Sequence, residues 1–158
     1  MSGLHPYEYV VLRCVPRVDR EEFVNIGVVL HCRAADMLSL RWQLDEQRLQ
    51  ALWPGLDPAS VHHALAYLDA VAAGEERGGA AAGQPISTRF GFLKAPRSTV
   101  VQPGPVHSGL CTDPAAEVER LLARLVAPIE QPQSDRIDDR IDGRAEDQTG
   151  TSSTAPTA

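Results

Sequence analysis

The run Y-E-Y-V-V-L-R-C-V from Tyr7 to Val15, closed by Pro16, constrains the fold more than any other segment. Its aromatic and β-branched residues predict a strand that enters a turn. Alternation places Tyr7, Tyr9, Val11 and Arg13 on one face and Val10, Leu12 and Cys14 on the other. Both faces are largely apolar, so the strand belongs inside a sheet and not at its edge. The charged segment R-V-D-R-E-E at 17–22 then leads into a second strand over Phe23 to Arg33. Gly27 inside that strand marks a bulge or the close approach of another backbone or a ligand, and alternation puts Asn25 on its face. A third, half-exposed strand runs through Leu38, Leu40, Trp42 and Leu44. The short connections favour an antiparallel meander.

Helices follow. Asp45 is placed to cap a short helix at 46–53, ended by Pro54 and Gly55. Asp57 and Pro58 open a longer one, with Val61, Leu65, Leu68 and Ala72 along one face. Asp113 and Pro114 repeat that opening, and Val118, Leu121, Leu122, Leu125 and Val126 form the clearest apolar stripe in the chain. Between these helices, 72–84 is almost wholly alanine, glycine and charge and reads as a flexible surface loop. Residues 86–93 and 98–102 read as two further short strands. The fold class expected is α+β, with an antiparallel sheet covered on one face by the helices at 58–73 and 114–127.

Composition separates a body from a tail. The apolar fraction of 43%, with 12 glycines besides, is that of a globular domain, and one domain over 1–129 is expected. From 130 to 158 the only large apolar residues are two isoleucines, and seven acids face three arginines, so this acidic tail is expected to be disordered. The tandem D-R-I-D at 135–138 and 139–142 reads as chance repetition in a linker. The net charge of −6 leaves no basic footprint for nucleic acid. Fourteen of the fifteen basic residues are arginine, and Lys94 is the only lysine. Three scattered cysteines suit a reducing compartment. Neither a long apolar run nor a basic-then-apolar leader is present, and a cytoplasmic protein without membrane contact is the simplest reading.

The usual chemical motifs are missing. His31 and Cys32 are adjacent on a strand and point to opposite faces, and neither C-x-x-C nor H-E-x-x-H occurs, so no metal is expected. Cys14 and Cys32 sit in apolar patterns, and Cys111, placed in a loop near His107, is the one thiol beside a base. Phosphate-cradling glycine motifs are absent, and no cofactor is implied. What stands out is a polar cluster around the first turn: Arg13, Arg17, Asp19, Arg20, Glu21, Glu22 and Asn25, beside Gly27. Pairing of the first two strands brings Arg13 near Asn25, either in a structural Arg–Glu–Asn hydrogen-bond network or as a recognition patch.

At these same residues the chain resembles a bacterial family catalogued as domain of unknown function 3037. Y-E-Y-V-V-L-R-C-V-P with R-E-E-F-V-N-I-G-V-V-L resembles the family's opening, and D-P-A-A-E-V-E-R-L-L-A-R-L-V-A-P its closing helix. The resemblance puts weight on Arg13, Pro16, Glu22, Asn25 and Gly27 without assigning them a role. It implies a small cytoplasmic protein, some relatives being encoded beside HipA-like serine/threonine kinases of toxin–antitoxin modules. Two readings follow. One is a non-enzymatic accessory or regulatory protein, with a HipA-like kinase as the partner. The other is a hydrolase or nuclease-like enzyme using Glu22 as base, with Arg13 or Arg97 holding an anion. The oligomeric state is not encoded in any pattern of the chain.

Overall fold

Strand β1 (His5–Cys14) is hydrogen-bonded on both edges, as its two apolar faces require. In this computed structural model, which describes residues 3–130, β1 pairs on one side with β2 (Val24–Cys32), and β2 in turn pairs with β3 (Met37–Trp42). Its other edge is shared by two short strands. β4 (Val101–Pro103) lies against Leu12 to Cys14, and β5 (His107–Cys111) lies against His5 to Tyr9. Every pairing is antiparallel, so the expected α+β class with an antiparallel sheet is what the chain forms.

The helices are α1 (Glu46–Leu52), α2 (Pro58–Ala73), α3 (Gly79–Ala82), α4 (Ile86–Lys94) and α5 (Pro114–Leu125). The three capping aspartates act as expected: Asp45 accepts from the Arg48 N–H, Asp57 from Ala59, and Asp113 from both Ala115 and Ala116. Residues Met1–Pro128 make one compact unit. The expected tail lies beyond the described residues from 131 onward.

The helices do not share one face of the sheet. Val10, Leu12 and Cys14 of β1 pack with Leu65 and Leu68 of α2 and Phe90 and Leu93 of α4. On the opposite face Tyr7, Val28, Leu30 and Cys32 pack with Val118 and Leu121 of α5. The physical reason is already in β1 and β2: strands apolar on both faces lose that burial unless both faces are covered, at about 25 cal/mol per Å².

Three local expectations are also corrected. Ile86 to Leu93 is helix α4 and not a strand, because Ile86, Phe90 and Leu93 fall on one helical face and Phe90 and Leu93 are fully buried there. The stretch 72–84 is no loose loop: it holds a turn of 3₁₀ helix (Glu76–Gly78) and α3. Small residues pack there by close approach, and a Cβ on Gly78 would lie 2.7 Å from the Ala82 Cβ and 2.9 Å from the Val71 nitrogen. Cys111, expected in a loop, ends strand β5 (His107–Cys111), since pairing with β1 overrides the weak strand propensity of H-S-G-L-C.

A bulge in β2 sets the geometry of the first turn. Leu12 stands opposite Gly27 and Arg13 opposite Asn25, so Ile26 is an extra residue. Alternation breaks there. Ile26 joins the α2 side of the core, and a Cβ on Gly27 would meet Leu12 on that same side, 3.0 Å from the Arg41 carbonyl oxygen. Asn25 turns the other way, and its Nδ2 donates to the Leu125 carbonyl at the end of α5 at 3.1 Å. Asn25 and Gly27 therefore occupy opposite faces, contrary to simple alternation, while both the bulge and the close backbone approach expected at Gly27 are present.

A second tie holds α5. The Tyr7 hydroxyl donates to Glu117 Oε1 at 2.5 Å, and Arg120 donates to both oxygens of the same carboxylate. Gly109 leaves room for it, since a Cβ there would lie 2.6 Å from the Tyr7 ring.

Gly27→Val should lower unfolding stability by about 1–3 kcal/mol in urea titrations, because backbone and not a flexible side chain opposes the new Cβ. Full stability in that variant would mean that the approach is not tight.

Burial, reinforced by Glu117, pushes the Tyr7 pKa up to about 12 from 10.0. A raised folded pKa contributes stability that is complete below 10.0 and is lost as pH rises through about 12. Glu117 is the opposite case. Its bonds from Arg120, then Tyr7, hold it below the ordinary 4.5, so its contribution is present above 4.5 and fades as pH falls through the lowered value. Of the three tyrosines, one should ionise last in an absorbance titration, and Tyr7→Phe should delete that step. Three tyrosines ionising together near 10.0 would refute the buried pair.

Candidate functional site

The residues singled out in the sequence sit at one end of the β1–β2 ladder. Pro16 to Phe23 form the connecting turn, with a 3₁₀ segment at Val18–Arg20 and Glu21 in the left-handed region at φ 56°. Arg13 and Asn25 are cross-strand partners, yet they do not share one hydrogen-bond network with Glu22. Asn25 is held by the Leu125 carbonyl, Glu22 is ion-paired with Arg20, and Arg17 with Asp19. The Arg13 guanidinium lies 4.1 Å from the centre of the Phe23 ring, and its Nε is buried without a hydrogen-bond partner. Phe23 itself is 44% exposed and Val18 50%. Arg17 stands over Trp53 at 5.1 Å. Arg13, Val18 and Phe23 thus line a cleft of about 310 Å³, while Arg17, Arg20, Glu22 and Trp53 meet around a hollow of only about 10 Å³. Arg97 is elsewhere, with Nη2 donating to the Phe92 carbonyl at 2.5 Å near the end of α4.

A larger cleft of about 620 Å³ opens on the α4 side of the sheet, where β5, β1 and the end of β2 meet. Glu8, His31, Arg33, Lys94 and Ser108 line it, and Phe90 and Leu110 supply apolar wall. Its walls come from α4 through Ser87, Phe90 and Lys94, and from β1 and β5 through Glu8 and Ser108. His31 is 8% exposed, and its Nε2 is buried with no hydrogen-bond partner. Its ring packs 4.9 Å from Phe90, and the Lys94 ammonium lies 4.9 Å from the same ring centre. Burial lowers the His31 pKa. Glu8 opposes that shift and Lys94 and Arg33 add to it, so the imidazole is neutral at pH 7.

In the sequence His31 stands out only as a metal-ligand candidate, and Glu8 not at all. A signal was present: alternation puts Glu8 on the face of Val10, Leu12 and Cys14, an acid on an apolar stripe, and His31 interrupts the buried run V-V-L-H-C. Among the described residues no three His, Cys, Asp or Glu side chains are grouped to hold a metal, and no helix is long and apolar enough to cross a membrane.

Fold and site together define a small α+β protein, a double-covered antiparallel sheet with a charged turn at one end and an open polar cleft towards the other. The sequence profile of the family described as protein of unknown function (DUF3037) matches residues 9–126, and the chain belongs to that family. No curated protein and no solved structure matches the chain.

The separate partners of Asn25 and Glu22 predict separate outcomes. Asn25→Ala removes a bond that ties β2 to α5 and should cost about 0.5–1.5 kcal/mol in chemical denaturation. Glu22→Gln breaks only an exposed ion pair and should stay within about 1 kcal/mol of the parent. Equal losses for the two would restore the shared network.

Proposed function

We propose that this chain is a non-enzymatic accessory or regulatory protein of the bacterial cytoplasm that acts by docking on another protein, with a HipA-like serine/threonine kinase as the partner. The observation that carries the reading is the turn at Pro16 to Phe23. Phe23 is held out to solvent on top of the Arg13 guanidinium, next to exposed Val18, with Arg17 and Trp53 across the turn. Aromatic and arginine side chains of this kind are enriched at the centres of protein interfaces. Asn25, tied to α5, keeps the base of the turn in place, so little ordering is needed on binding.

A hydrolytic reading built on Glu22 with Arg13 or Arg97 gains nothing from this geometry. Glu22 is neutralised by Arg20, Arg13 lines a different cleft, and Arg97 is engaged at the end of α4.

The test is co-expression with a HipA-like kinase encoded in the same genome, followed by affinity recovery. Phe23→Ala should fold, losing about 0.5–1 kcal/mol with the cation–π contact, and should bind about 30-fold more weakly, the equivalent of a 2 kcal/mol hot spot. Unchanged kinase recovery at matched folded concentration, or no recovery with the parent chain, would overturn the reading.

A further inference from the structure

We infer that the cleft between α4 and the β5–β1–β2 surface is a binding site for a small organic oxyanion, a carboxylate or phosphate monoester carried on an apolar body. This goes beyond docking at the turn and does not depend on it. Glu8 and His31 pair near one end of the β1–β2 ladder and Cys14 and Val24 at the other. Six residues of strand separate the two places by roughly 20 Å.

Four observations converge. The cleft has the volume of a metabolite site, about 620 Å³. His31, more than nine-tenths buried, is one of the residues that line it, and its Nε2 has no hydrogen-bond partner among the described residues. Buried polar atoms are nearly always paired, so an orphan in a residue that lines a cleft points to a ligand atom as its partner. Lys94 and Arg33 line the same cleft, and among the described residues neither forms an ion pair. With Glu8 as the one carboxylate and His31 neutral, the lining carries a net single positive charge, which selects an anion. Phe90 and Leu110 provide the apolar wall against which the body of such a ligand would lie.

The ligand's anionic head is then met by the Lys94 ammonium and the Arg33 guanidinium, while His31 hydrogen-bonds a polar atom deeper in the cleft. Glu8 repels a second anionic group, and so favours a compact ligand over a polyanion. Lysine is a compact point charge with rotatable donors, which suits either head group.

Because Lys94 is the only lysine, reductive methylation with ¹³C-formaldehyde labels it and the α-amino group alone, and the second signal serves as an internal control. The full chain is titrated with benzoate, phenyl phosphate, benzylamine and benzyl alcohol, following the Lys94 signal and the His31 ring nitrogens. At least one of the two anions should shift both reporters saturably, with the α-amino signal, benzylamine and benzyl alcohol silent. Response to benzoate alone assigns a carboxylate, to phenyl phosphate alone a phosphate monoester, and to both the shared oxyanion chemistry. Lys94→Met, a change at a half-buried helix end, should weaken binding by about tenfold, the loss of one charged hydrogen bond, as read at His31. The inference fails if neither anion binds, if Lys94 shifts while His31 does not, or if the amine and the alcohol shift the reporters equally. Kinase recovery by the turn is read separately, so either site can fail without the other.

Discussion

Coverage of β1 on both faces is the constraint from which the other elements take their places. Val10, Leu12 and Cys14 need one apolar layer, Tyr7 and Tyr9 another, and β2 carries the same demand through Val29 on one side and Val28, Leu30 and Cys32 on the other. Two layers must then come from helices on either side of a single sheet. α2 and α4 supply the first, α5 the second. The tie between Tyr7 and Glu117 fixes where α5 lands, and the Asn25 bond to Leu125 fixes its far end. Both ties are polar bonds at the margins of an apolar contact. They orient a helix whose burial supplies most of the stabilisation.

The bulge at Ile26 links this packing to the exposed turn. Without the extra residue, alternation would put Asn25 on the α2 side, among the apolar side chains of Val10, Leu12 and Cys14 and away from the Leu125 carbonyl. With it, Asn25 reaches the end of α5, and Arg13 is left with Phe23 as a neighbour in place of an amide or a carboxylate. A guanidinium stacked on a ring keeps its charge partly free for a partner, whereas one locked to a carboxylate does not. Gly27 makes the arrangement sterically possible by letting the Arg41 carbonyl come close. The conspicuous sequence R-E-E-F-V-N-I-G is thus a structural device at its end, Asn25 to Gly27, and solvent-exposed at its start, where Arg20 pairs with Glu22 beside Phe23.

Patterns of period two and period three to four made most of this fold legible in the sequence. β1, β2, β3, α1, α2 and α5 all follow from alternation, capping aspartates and apolar spacing, and α2 runs from Pro58 to Ala73 as read. Failures came where the local signal was ambiguous or tertiary. Phe90 and Leu93 belong to a nine-residue segment rich in β-formers, too short for its periodicity to be decisive. β5 has almost no intrinsic strand signal and exists through its partner. The alanine and glycine stretch packs through the absence of side chains, which composition reads as lack of a core. One extra residue in β2 changed the face of Asn25, and no single-residue pattern announces a bulge. The candidate sites split the same way. The turn was legible because its charges are contiguous, while the cleft assembles Glu8, His31, Lys94 and Ser108 from four elements, and nothing along the chain joins them.

The two sites also differ in what they ask of the sheet. The proposed docking turn must hold a shape, and the Asn25 and Gly27 contacts supply that by tying its base to α5 and β3. A ligand cleft must hold a buried polar atom away from water, and that needs rigid neighbours more than a rigid loop. His31 has them: Phe90 at 4.9 Å on one side, and the paired strands β1 and β3 on either edge of β2. Movement of α4 away from the sheet would hydrate His31, so the same contact that buries the imidazole also decides how strongly the cleft can discriminate. An unhydrated imidazole hydrogen-bonds a ligand with less competition than an exposed one, and its neutrality leaves the choice of ligand charge to Lys94, Arg33 and Glu8.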